Sequence, residues 1–375
     1  METESTYHSR FNALLLFLPV AVLFRHSIKV DPPYVFFSAA LTIIPLTRVL
    51  SVATERLAER FGESIGGFLN ATFGNAPELI ISAIAIQSGF HDLVKASITG
   101  SIIGNILLVF GCGAIAAGFK YPVLRFNRST CGIATTMLAL AAVGLVLPAM
   151  FRLLHPKMLP ELECKLGLYI SIVLMLTYIL NLVFALKTHR HLYAGIPMEQ
   201  DTKKSALDTK VHESKERKSP DCFPWGAFGI LAVSALLIGW MSEILVSSVE
   251  GAAREMGFSE LFMGVIFLAI INNASEHSIA IVMALKNKMD LAINITVGSS
   301  IQIALFVAPA LVFMSYFIGP TPMNLSFTPL EVLSIFIAVG TIALTSHDGD
   351  VNWIEGVQLV AVYIMLAIAF YFFPA

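Results

Sequence analysis

Residues 66–109 read GGFLNATFGNAPELIISAIAIQSGFHDLVKASITGSIIGNILLV, and residues 264–307 read GVIFLAIINNASEHSIAIVMALKNKMDLAINITVGSSIQIALFV. The two stretches align without a gap at an offset of 198 positions (276 − 78). Gly66 then meets Gly264, Asn75 meets Asn273, Glu78 meets Glu276, Asp92 meets Asp290, Gly100 meets Gly298 and Ser101 meets Ser299. An apolar stretch that carries one carboxylate and occurs twice in one chain is the signal of a transporter built from two halves.

The rest of the chain fits that signal. Of 375 residues, 56% are hydrophobic and 13% charged, against about 45–50% apolar and about 25% charged in soluble domains. Hydrophobic runs of roughly 20 residues mark spans. Eleven are expected, near 11–28, 33–52, 65–89, 93–118, 131–153, 166–187, 225–248, 259–285, 289–317, 326–345 and 354–373. The opening METESTYHSR lacks both the basic start and the small-residue cleavage site of a signal peptide, so the run from Phe11 is read as a short first span. The expected fold is all-α: a polytopic membrane protein of about eleven helices. Its parts are an N-terminal segment with the first helix (1–32), a first five-helix repeat (33–187), a polar linker (188–223) and a second five-helix repeat (224–375).

Five crossings per repeat is an odd number, so the second half enters the membrane upside down and the repeats are inverted. Arg48, Arg56, Arg60, Lys120, Arg125, Arg128, the linker cations, Lys286 and Lys288 then fall on one side, which the positive-inside tendency makes cytosolic, with the N-terminus and linker; Arg25, Lys29, Lys157 and Arg254 fall on the other. The linker is polar, mixed in charge and poor in apolar anchors, as a solvated connector is.

Other classes are excluded by what the sequence lacks. The net charge of −2 and the absence of a basic patch offer nothing to nucleic acid. Cys112, Cys131, Cys164 and Cys222 have neither CxxC nor Cys/His spacing, so no disulfide framework, zinc site or other cofactor is indicated. An intramembrane metallohydrolase would need HExxH; Glu276-His277 is in the reverse order with no second His following. A cation channel is the remaining alternative that composition leaves open.

A carboxylate in the middle of an apolar span costs about 2.5–3.5 kcal/mol on insertion scales. Inversion brings Glu78 and Glu276 together near the midplane, where two anions need a cation or a shared proton between them. Hard divalent ions take oxygen ligands, and both stretches offer them. Pro77 has no N–H and Gly74 loosens the same turn, so a broken span is expected there, with the carbonyls of Gly74 and Asn272 as ligands. Asn75 and Asn273 either ligate or tie helices together. Gly100-Ser101 and Gly298-Ser299 read as close-packing notches or as polar neighbours of the site. His277 has Leu79 as its counterpart, so it does not duplicate a role; it relays protons or satisfies an interior hydrogen bond. Gln302 and Glu243 are placed around the site, Glu243 on a proton pathway or in an interfacial structural role.

GFLNATFGNAPELI and its partner NNASEHSIAIVMALKNKMDLAINITVGSSIQIALF resemble the paired signatures of the Ca²⁺/H⁺ exchanger (CAX) family, within the cation/Ca²⁺ exchanger superfamily. The likeness extends to YILNLVFALKTH, SEILVSSVE and DGDVNWIEGVQL, and departs from the family's usual residues at Pro77 and Asn272. It implies eleven spans, Glu78 and Glu276 as cation-binding carboxylates, and exchange of cytosolic Ca²⁺ for protons; a Na⁺/Ca²⁺ exchanger of the same superfamily is the alternative. Its host membrane would be the plasma membrane of a prokaryote or the vacuolar membrane of a fungus or plant.

Overall fold

The computed structural model describes residues 14–373 apart from 28–29, 62–65, 67–68, 71, 158 and 190–224. Eleven helices follow one another in the described residues. They are α1 (Phe17–His26), α2 (Pro32–Arg60), α3 (Ala76–Gln87), α4 (His91–Gly118), α5 (Arg128–Leu154), α6 (Pro160–Thr188), α7 (Trp225–Met256), α8 (Glu260–Leu285), α9 (Met289–Ser315), α10 (Pro329–Thr345) and α11 (Trp353–Tyr371). Each expected span has a helix. Eight are long and apolar enough to cross a membrane, while α1, α3 and α10 are shorter. The polar linker lies almost wholly outside the described residues.

Hydrocarbon offers no partner to a polar group, and the side chains answer that locally. Along α2 the hydroxyls of Ser38, Thr42, Thr47, Ser51 and Thr54 each donate to a carbonyl three or four residues earlier. Helix starts are closed by side chains: Asn127 accepts from the amides of Ser129 and Thr130 at the head of α5, and capping boxes Thr328/Glu331 and Asn352/Glu355 open α10 and α11.

The third span, 65–89, is broken where Gly74 and Pro77 lead one to expect it. Residues 69–70 and 72–73 are helical, the chain turns at Gly74-Asn75, and α3 begins anew at Ala76. Gly74 N–H closes the earlier turn on the Asn70 carbonyl at 2.8 Å, and Pro77 in the first turn of α3 needs no amide partner. Glu78 thereby falls in the first turn of a new helix. The second half has no such break: α8 runs through Asn272 and Glu276 and carries only a π-helical segment, Met263–Leu268.

The halves interlock. α2 packs along its repeat counterpart α7, and α4 crosses the start of α8. At that crossing a Cβ on Gly100 would run into the carbonyl oxygen of Val265, and one on Gly264 would meet the Cβ of Ala96 at 2.5 Å, so glycine is what lets the two backbones touch. Gly298 has open space around it and makes no such notch. The inversion is visible at one end of the bundle: α4 ends where its repeat counterpart α9 begins. There the amide of Asn127, just after α4, donates to Asp290 Oδ1 at 2.6 Å, and a two-stranded antiparallel ribbon joins β1 (Leu124–Arg125) to β2 (Asp350–Val351). That end carries Lys120, Arg125, Arg128, Lys286 and Lys288 and is called the basic end below.

Candidate cation site

The break before α3 and the continuous α8 bring one glutamate from each half into a single buried polar cluster. Glu78, 5% exposed, stands at the positive N-terminal end of α3, where an anion is favoured. Glu276 projects from the middle of α8. The charge of Glu276 acts on Glu78. Among the described residues, one oxygen of each, Glu78 Oε2 and Glu276 Oε2, is buried without a hydrogen-bond partner, as are Asn272 Oδ1 and Ser275 Oγ. Buried oxygens of this kind cost about 1–3 kcal/mol apiece, more if charged, when nothing binds them. Two carboxylate oxygens and two neutral ones are ligands of the kind a hard cation takes. No group of three or more His, Cys, Asp or Glu side chains converges among the described residues.

A cavity of about 210 Å³ leads to Glu276 from the basic end, lined by Ser51, Glu55, Asn70, Gly74, Ser275, Glu276, Asn294, Ser299 and Gln302 among others. It has room for a cation and several waters. A larger cavity of about 700 Å³ lies at the opposite end, lined by the α3–α4 turn, Arg152, Glu260 and Asn324, and the glutamates do not reach it.

Hydrogen bonds between the halves surround the pair. Asn75 Nδ2 donates to Gln302 Oε1 at 2.6 Å. Asn273 Nδ2 donates to Ser101 Oγ at 2.8 Å and to the Ala269 carbonyl at 3.0 Å, and Asn272 Nδ2 to Ser97 Oγ at 3.2 Å. Ser299 is hydrogen-bonded to Glu276. His277 turns its Nε2 to Asn105 Oδ1 at 2.9 Å.

Glu78, Glu276, Gly74, Asn75, Asn272, Asn273, Ser101, Ser299, Gln302 and His277 are thus brought to one cluster or its edge. Asn272 stands inside an uninterrupted helix, so no break frees a carbonyl there, and its side-chain oxygen is buried without a partner. Glu243 is not among the residues lining the cavity: it is 57% exposed and pairs with Arg25 of α1 at 2.7 Å. Sequence reasoning passed over Ser51, Glu55, Asn70, Ser275, Asn294 and Asn105. Glu55 carried a signal, being the one acid in the α2 run VATERLAER that lies a turn inward of Glu59.

Two halves, a helix broken at a buried acid and a buried carboxylate from each half are features that a secondary cation transporter needs. A model of the sodium/calcium exchanger protein family matches residues 31–187 and 226–372, nearly all of both repeats, and the chain belongs to that family. It is 40% identical over 364 residues to a Ca(2+)/H(+) antiporter of Aphanothece halophytica, covering 97% of this chain and 96% of the relative. It is 40% identical over 342 residues to the Ca(2+)/H(+) antiporter ChaA of Bacillus subtilis, covering 91% and 93%. The solved structure of native YfkE superposes with a TM-score of 0.79 at 36% identity, over 97% of this chain and all of that one.

Proposed function

We propose that this protein exchanges Ca²⁺ for H⁺ across a membrane by alternating access, with Glu78 and Glu276 forming one site that holds either the ion or protons. The observation that carries the reading is the pair of buried carboxylates, one per half, each with an oxygen left unpartnered, with Glu276 lining a cavity. Its relatives' naming as Ca²⁺/H⁺ antiporters supports the choice of ions. Gly74, Asn75, Asn272 and Asn273 complete the oxygen shell or hold it in shape, while His277, Gln302, Ser101 and Ser299 orient it.

Coupling needs no further machinery. Deprotonated, the pair binds a divalent cation; protonated, it releases it. In both loaded forms the site is near neutral, and a neutral site rearranges in a low-dielectric core at far less cost than a charged one. By the positive-inside tendency the basic end faces the cytosol, so the cavity to Glu276 admits cytosolic Ca²⁺ and the polar linker and N-terminus lie on that side.

The test is radiocalcium uptake into proteoliposomes under an imposed pH gradient in sodium-free buffer. The wild-type chain accumulates calcium and stops when the gradient is collapsed. Glu78→Gln and Glu276→Gln each abolish uptake, and substantial transport by either variant would sink the two-carboxylate site.

A further inference from the structure

Asn105 is placed where the repeat is broken. At the offset that superposes the two glutamates, its counterpart is Ile303 and that of His277 is Leu79, so the Asn105–His277 contact has no mirror image in the other half. The residue stands at the start of the π-helical segment Gly104–Val109 of α4. Such a wide turn re-aims the side chains it carries, and π segments recur at functional sites for that reason.

The side chain of Asn105 is 1% exposed and meets three polar groups from α8 and α9: His277 Nε2 at 2.9 Å, Ser299 Oγ at 3.2 Å and Asn273 Oδ1 at 3.5 Å. Hydrogen directions in this cluster follow from an end that cannot flip. The Ala269 carbonyl only accepts, so the group of Asn273 facing it is the amide nitrogen. Asn273 then presents Oδ1 to Asn105, which must answer with its own nitrogen. Asn105 Oδ1 is left for His277, and because that oxygen only accepts, the ring nitrogen facing it, Nε2, carries the hydrogen. Ser299 supplies a second, independent reason. Its hydroxyl lines the cavity beside Glu276 and interacts with it; in the ionised form that holds a cation this carboxylate only accepts, so the Ser299 oxygen receives its other hydrogen bond from Asn105 Nδ2.

We infer that Asn105 is a positioning residue for the exchange: one amide fixes the tautomer of His277 and the direction of the Ser299 hydroxyl, and through that hydroxyl the attitude of the Glu276 carboxylate toward the cation. The inference rests on Glu78 and Glu276 being the cation site. It makes the two carboxylates unequal. Glu78 is held by the N-terminus of its own helix, and Glu276 is held by a chain of side chains ending at Asn105.

The experiment uses the full chain in proteoliposomes and isotope-labelled histidine in the same protein. Asn105→Ala is expected to raise the KM for Ca²⁺ by about tenfold, the size of one hydrogen bond to a charged group. Ser299→Ala raises it comparably, and Asn105→Ala/Ser299→Ala is no worse than the worse single variant, because both act through one hydroxyl. Effects that multiply in the double variant overturn the inference, since a residue that merely supports the fold adds its cost independently. Nitrogen NMR of the unmutated protein is expected to show neutral His277 hydrogenated on Nε2, and an Nδ1–H tautomer overturns the inference even if Asn105→Ala fails to fold. Loss of transport in Glu78→Gln and Glu276→Gln with an unchanged KM in Asn105→Ala overturns the positioning role alone; retained transport in the glutamate variants overturns both.

Discussion

Replacing Lys95 by methionine is expected to cost about 2–4 kcal/mol of folding stability, several times the cost of replacing its surface partner Asp92 by asparagine. Lys95 enters the bundle from the first turns of α4, at the end away from the cation cavity. Its side chain is 7% exposed, whereas that of Asp92, 2.8 Å away, is 87% exposed. Water screens the Asp92 half of the contact, and exposed pairs contribute only about 0–1 kcal/mol. The buried half is different. Lys95 Nζ donates to the Ser326 carbonyl at 3.1 Å and reaches Asn324 Oδ1 at 3.4 Å, and its charge acts on Glu331, a carboxyl 1% exposed that also accepts from Thr99. One hydrogen bond from a charged donor accounts for about 1.5–3 kcal/mol, and the uncompensated Glu331 adds to it; methionine keeps most of the aliphatic packing. The assay is thermal unfolding of the detergent-purified protein with Lys95→Met, Asp92→Asn, Glu331→Gln and Lys95→Met/Glu331→Gln. Lys95→Met should melt well below Asp92→Asn, and the double variant should lose less than the two single losses together. Equal melting of Lys95→Met and Asp92→Asn would refute the assignment of the stabilisation to the buried half.

Further outcomes follow from the same coordinates. The KM for Ca²⁺ should rise as pH falls, because protons and the ion contend for Glu78 and Glu276; a pH-independent KM in the same flux assay would argue against a shared site. Gly100→Val should abolish the folded protein, since its Cβ meets the Val265 backbone and nothing there is flexible, whereas Gly298→Ala, with open space around it, should express and melt like the wild type. Glu243→Gln should retain pH-driven uptake and shift stability by no more than about 1 kcal/mol, as for an exposed pair with Arg25; lost transport would return Glu243 to the proton path.

The spans, the duplication and the acids at its centre were legible in the sequence because each leaves a local trace: a run of apolar residues, a fixed offset, a carboxylate where hydrocarbon makes one costly. Pro77 and Gly74 announced the break before α3 for the same reason. What stayed hidden has no such trace. The π segments at 104–109, 263–268 and 303–307 arise from how neighbouring helices pull on the backbone hydrogen-bond ladder, and no residue type encodes them. Asn105 lay inside the very stretch that defines the repeat, but matching by repeat finds what the halves share, and Asn105 matters because Ile303 does not share it. Asn294 became visible only when folding set distant turns around one cavity, and Glu243 looked like an intramembrane acid until Arg25 was seen beside it.

The small ribbon at the basic end bears on how the chain is made. Among the described residues Leu124–Arg125 pairs with Asp350–Val351, and the Phe126 amide donates to the Gly349 carbonyl at 3.0 Å. During synthesis the segment between α4 and α5 must therefore wait with open hydrogen-bonding groups while α5 through α10 are produced. Assembly of the basic end is accordingly a late event, completed after the tenth helix has emerged, and a chain stalled before Gly349 would present an unpaired strand edge to whatever surveys nascent membrane proteins.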